Sequence, residues 1–296
     1  MANAPDKKAV LRCSVRISQI KKFGQQQFGL PKTKNFSRYC PEKSGCFFVQ
    51  WCSKEKIPQK DKDLEEELFF DGKEASCFCR KKEQEGLDAF VFKVPGFIDE
   101  NSEKKFGSPL TPEHITWNQR SLAVMIFHED FHVWVRKFKL KNISLDDKIE
   151  ESLASIFGYV AAIFWAKEKH KKINARRFLR GTIKDADLAC AAYEAMENVY
   201  QNNNLNSAEK DALKRKIFNK YQKSIFNDSS WCFDRKANFA SLYVIYKYSK
   251  YINLFYKFFK TRNNLKTAMQ QIEIIAKKSK SPDDFIECIK DLTTKK

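Results

Sequence analysis

The segment Phe127-His128-Glu129-Asp130-Phe131-His132 holds the residue types and spacing that could do chemistry. It reads His-Glu-x-x-His inside a stretch of helical periodicity. In a helix, the i, i+4 spacing sets both imidazoles on one face, one turn apart. Two nitrogens placed that way can ligate a single zinc ion. Glu129 projects about 100° further around the helix. From there its carboxylate reaches a water on the metal rather than the metal itself, which is the place of a general base. The bland alternative is a helix whose two histidines face the core or a partner.

A mononuclear zinc site needs a third ligand from another element. His170 lies in Lys167-Glu168-Lys169-His170-Lys171-Lys172, which reads as a solvated helix end. The better source is Glu150-Glu151-Ser152-Leu153-Ala154, at the start of the next amphipathic run. The interval after His132 lets one helix end, a loop turn and a second helix pack back antiparallel. Glu151 then completes a His, His, Glu set, the gluzincin arrangement. The same acidic pair also suits the positive end of a helix dipole. Such a set lowers the pKa of a water on the ion and polarises a carbonyl, so the expected reaction is peptide-bond hydrolysis. An oxyanion donor is expected on the aromatic run Ala237–Phe259, which carries Tyr243, Tyr246, Tyr248 and Tyr251.

The elements that must position these groups fall into two parts. Residues 1–110 read as an N-terminal α/β part, with a helix over Ser14–Phe28 stopped by Gly29-Leu30-Pro31. Cys46–Cys52, Ala75–Arg80 and Ala89–Val94 read as strands, the last ended by Pro95-Gly96. The charged stretch Ser53–Glu67 reads as a loop or surface helix. Residues 111–296 read as helical. Thr111-Pro112 looks like an N-cap with Pro at the first helical position, with no Gly or Pro as far as Lys141. Ser144-Leu145-Asp146-Asp147 resembles a second N-cap. Further helices are expected over Ala186–Tyr200, Ser207–Phe226, Ala237–Phe259, Asn264–Lys277 and Pro282–Leu292. The expected fold class is α+β: a small N-terminal mixed sheet bordering a cleft, then a predominantly helical part with gluzincin, thermolysin-like active-site helices. An edge strand of that sheet could align a peptide by backbone hydrogen bonds.

With these segments assembled, the chain resembles the bacterial putative aminopeptidases, a family of expected zinc peptidases. Three segments carry the resemblance: Phe28-Gly29-Leu30-Pro31 with Asn35-Phe36-Ser37-Arg38-Tyr39; Ile126-Phe127-His128-Glu129-x-x-His132 with Glu151-Ser152-Leu153-Ala154; and Asn238-Phe239-Ala240-x-Leu242 followed by Tyr248 and Phe255. The resemblance implies one zinc per chain, held by His128, His132 and Glu151, with Glu129 catalytic and a peptide or protein as substrate. By the same match, Asn238 becomes a substrate-binding candidate and Tyr248 a catalytic one. The chain departs from the family pattern at Asp130-Phe131, where Leu-Ala is usual, and at Glu150, where Asn is usual. Glu150 is also the only guess for the acidic group that an aminopeptidase directs at its substrate's free amine.

Composition sets the remaining bounds. The chain has 296 residues, 43% of them hydrophobic, enough for a sizeable core. Lys+Arg is 55 against Asp+Glu 37, a formal net charge of +18. That balance motivates one alternative, a basic protein binding nucleic acid or an anionic surface, with any metal structural or vestigial. No nucleic-acid recognition motif accompanies the charge, so no specific nucleic acid is expected. The nine cysteines include no Cys-x-x-Cys pair. A zinc cluster of cysteines is not expected. The stretch MANAPDKKAVLRCSVRISQIKKF has no unbroken apolar run of a signal peptide, so the expected location is the cytoplasm. Nor is a transmembrane segment expected: the longest apolar run, Ile156–Ala166, is about half of what a bilayer needs. The sequence assigns no oligomeric state.

Overall fold

The structure is a computed structural model and describes residues 6–41, 46–94, 107–137, 145–169, 174–225, 237–262 and 264–294. His170, Cys232, Ser144 and Pro95-Gly96 lie outside the described residues. In chain order the elements are α1 (Lys7–Phe28), β1 (Cys46–Ser53), β2 (Glu65–Phe69), α2 (Gly72–Gln84), β3 (Leu87–Val94), α3 (Pro112–Thr116), α4 (Gln119–Lys137), α5 (Asp147–Glu168), α6 (Ala175–Gln201), α7 (Ser207–Ile225), α8 (Phe239–Ser249), α9 (Ile252–Lys260), α10 (Leu265–Lys278) and α11 (Pro282–Thr294). The fold is α+β, mostly helical with one small sheet. That sheet runs β2-β1-β3 and is antiparallel rather than mixed.

Several elements differ from the sequence expectation, each for a local reason. Ala75–Arg80 is helix, not strand. Asp71 caps α2 by accepting from Lys73 N at 2.7 Å and Glu74 N at 3.0 Å. The buried positions Ala75 and Cys79 are then one helical turn apart rather than on a strand face. The charged stretch before it contains β2, a sheet-edge strand whose Glu65, Glu66 and Glu67 are exposed. The helix expected from Thr111 is two helices, because Trp117 is extended and Asn118 starts α4 by accepting from Ser121 N at 3.0 Å. The helix expected over Ala237–Phe259 breaks at Lys250-Tyr251, where Tyr251 N donates to Ser152 Oγ at 3.4 Å.

The chain forms two compact units, each assembled from separate stretches. The first comprises Met1–Ser44, Gly96–Ile183 and Tyr251–Lys296. It contains α1, α3, α4, α5, the start of α6, and α9 to α11. Its core is aromatic. Phe28 meets Phe127 and Phe157 edge-on, with ring centroids 5.7 and 5.9 Å apart. Phe157 lies 4.6 Å from Phe131 and 6.1 Å from Phe259. Burying rings of this size contributes on the order of 2–3 kcal/mol each, so the core locks α4 against α5. By length and composition alone, α5 could cross a bilayer, but 61% of its most apolar window is buried inside the protein. It is the central core helix of this unit.

The second unit comprises Gly45–Pro95 and Lys184–Lys250. Alternation along its strands covers both faces of the sheet. Val49, Trp51, Ala89 and Val91 pack on Ala75 and Cys79 of α2. Cys52 and Phe90 face Tyr193, Met196, Phe239, Leu242 and Tyr243 from α6 and α8.

Candidate metal centre and active site

His128 and His132 stand on the α4 face that meets the first turn of α5, and Glu151 projects from that turn. The two imidazoles approach Nε2 to Nε2 at 3.0 Å. Glu151 Oε2 is 3.4 Å from His128 Nε2, and its Oε1 is 3.5 Å from His132 Nε2. One ligand atom from each of the three residues lies within 4.8 Å of the others, so the group could hold a metal ion.

The helices can approach this closely because of Gly158 on α5. A Cβ there would sit 2.7 Å from Val124 O and 3.3 Å from His128 Cβ. Capping fixes where Glu151 falls. Asp146 accepts from Lys148 N at 2.6 Å and so sets the start of α5, with Glu150 and Glu151 in its opening turns.

Glu150 is occupied by the site itself. Its Oε1 lies 2.6 Å from His132 Nδ1. That contact engages the carboxylate guessed for a substrate amine with a histidine instead. The electrostatics follow from the geometry. Burial works against a charged His132, yet the Glu151 charge and the hydrogen bonds His132 gives to Glu150 and Glu151 hold its pKa well above the ordinary value. Burial likewise opposes ionisation of Glu151. The charge on His132 and the hydrogen bonds from both histidines outweigh it and hold the carboxyl below the usual carboxylate range.

Glu129 accepts from Ser108 Oγ at 3.2 Å, and its charge also acts on His132. Ser108 is placed by the first sequence segment of the resemblance. Phe36 N donates to Ser108 O at 2.5 Å, Leu110 N to Arg38 O at 2.9 Å, and Cys40 N to Leu110 O at 2.9 Å, a short extended pairing of the two stretches. Gly107 allows it: its φ is +71°, and a Cβ would lie 2.6 Å from Asn35 N. The Asn35 amide bridges the pairing to the motif helix, accepting from Ser108 N at 3.1 Å and donating to Asp130 Oδ1 at 3.1 Å. Thr33 Oγ1 donates to the same Asp130 oxygen at 2.5 Å. Lys21 donates to Thr33 O and Asn35 O at 3.0 and 2.7 Å. Sequence reasoning quoted Asn35 without a role and missed Ser108, since Gly107-Ser108-Pro109 reads only as a turn.

Asn238 and Tyr248 belong to the second unit. Asn238 is buried and caps α8, with Oδ1 accepting from Ser241 N at 2.9 Å and Nδ2 donating to Ala89 O at 2.5 Å. The neighbouring Phe239 N donates to Asp88 Oδ2 at 2.9 Å, which Lys214 also approaches at 3.1 Å. Tyr248 is half-buried on α8.

A family model described as "Putative aminopeptidase" matches residues 67–284. No curated protein and no solved structure matches the chain. The matched residues run from β2 into α11 and include His128, Glu129, His132, Glu150 and Glu151. On that match, the chain belongs to the putative aminopeptidase family, whose membership supports peptidase function.

Proposed function

We propose that the protein is a zinc-dependent peptidase of the gluzincin type, with one zinc per chain held by His128, His132 and Glu151. The observation that carries this reading is the convergence of two imidazoles and one carboxylate beside a helix that also bears Glu129. The donor set fits the ion. At zinc–ligand distances of about 2.0–2.1 Å, the donor atoms of a tetrahedral site stand roughly 3.3 Å apart; the two imidazole Nε2 atoms stand 3.0 Å apart, a different Glu151 oxygen faces each at 3.4 and 3.5 Å, and one ligand atom per residue lies within 4.8 Å of the others. Bound zinc would supply Lewis acidity, acidifying water and polarising the scissile carbonyl.

The chain's own residues do the rest. Glu129 takes the proton of the attacking water onto its carboxylate and hands it to the departing amine. Ser108 restrains the Glu129 carboxylate through Oε2, leaving Oε1 for proton transfer. Tyr248 is proposed as a catalytic residue on the family resemblance alone. Asn238 has its amide engaged in capping α8, so any contact with substrate would compete with that cap. The proposed substrate class is peptides.

Replacing Glu129 with Gln tests this. The variant should retain zinc and lose peptide hydrolysis by about 10²–10⁴-fold in a peptide-library assay. A Glu129→Gln protein that cleaves peptides as fast as wild type would contradict the mechanism.

A further inference from the structure

We infer that Glu150 is a positioning residue for His132, fixing which ring nitrogen His132 offers to the metal. The inference rests on the metal reading above and adds a residue to it. Two adjacent carboxylates at the start of α5 address the two nitrogens of one imidazole. Glu150 Oε1 stands 2.6 Å from Nδ1, and Glu151 Oε1 stands 3.5 Å from Nε2. The His132 side chain is only 10% exposed, so water does not compete freely for either nitrogen.

An ionised carboxylate only accepts hydrogen bonds, so at that distance the proton of the pair sits on Nδ1. A neutral imidazole carries one N–H and one lone pair. In the neutral ring that a metal would require, the lone pair is therefore on Nε2, the nitrogen that faces His128 Nε2 and Glu151. The contact also holds the ring orientation and makes Nε2 a stronger donor. Glu150 thereby does for His132 what helix geometry alone leaves open, because rotation of the ring by half a turn would exchange its two nitrogens.

The test measures zinc affinity by competition with a chromophoric chelator, on wild type, Glu150→Ala and Glu150→Gln. Wild type should bind one zinc. Glu150→Ala should bind it about 10–100-fold more weakly. Glu150→Gln keeps an acceptor oxygen without the charge and should fall between the two. Equal affinity in all three would overturn the inference while leaving the metal site standing. A wild type that binds no zinc would overturn both. Should Glu150→Ala fail to fold, the imidazole ¹⁵N shifts of zinc-loaded wild type decide alone. A protonated Nδ1 on His132 supports the inference, and a protonated Nε2 refutes it.

Discussion

Asp130 occupies one of the two variable positions inside the His-Glu-x-x-His segment, and it is almost completely buried. Burial raises its pKa, against the charge of Lys21 and the hydrogen bonds from Thr33 and Asn35. A buried carboxylate is tolerable only with such partners. Its use here is to tie residues 33–35 to the motif helix, and through Asn35 to carry Ser108 to Glu129. Phe131, at the other variable position, packs on Phe157 in the core. Both departures from the usual Leu-Ala therefore have structural work to do. At this scale, Ser108→Ala removes one hydrogen bond to the proposed base. It should lower kcat by about fivefold, the kinetic equivalent of roughly 1 kcal/mol, with zinc affinity unchanged. Steady-state kinetics beside a zinc titration checks this, and unchanged kcat would remove Ser108 from the mechanism.

At the scale of elements, the site is the junction of α4 and α5, and Gly158 sets how near they come. Gly158→Ala puts a methyl group into Val124 O and His128 Cβ, which forces the helices apart. It should destabilise the protein by about 1–3 kcal/mol in chemical denaturation and weaken zinc binding, since the donors separate with the helices. The metal-free junction should also be pH-sensitive. His132 has a folded pKa raised above its ordinary 6.5. The stability it contributes is fully present below that value and is lost as pH rises through the raised folded value. Glu151 has a depressed folded pKa, so its contribution is present above the ordinary carboxylate range and lost only in strong acid. Metal-free protein should thus need less urea to unfold at pH 9 than at pH 6, and His132→Gln should flatten that difference.

The same elements show what could be read in advance. The motif helix, a helix start within Ser144–Asp147 and the strands β1 and β3 were legible because caps and periodicity announce them, though the cap itself is Asp146. The α2 segment was not. Ala75 and Cys79 fit a turn of helix, but the short run Ala75–Arg80 also suits a strand, and only the Asp71 cap decides. β2 was hidden by its glutamates, since an edge strand can expose charge. The breaks at Asn118 and at Tyr251 carry no Gly or Pro, and Tyr251 makes its contact with Ser152, far away in sequence. Ser108 and the Glu150–His132 contact depend on tertiary approach and left no signal beyond residue type.

At the scale of the whole molecule, two discontinuous units share the chain, and the family match covers residues from both. The His128, His132 and Glu151 cluster with Glu129 lies entirely in the first unit, while the sheet and α8 belong to the second. The formal charge of +18 includes lysines with internal roles, such as Lys21 beneath the site and Lys214 against Asp88. The proposed function rests on one property of the folded chain, its capacity for a single ion at that cluster. Elemental analysis of zinc-reconstituted protein, wild type beside His132→Ala, measures it most directly. About one zinc per wild-type chain is expected, and its loss in the variant. No stoichiometric zinc in the wild type, or equal zinc in both proteins, would contradict it.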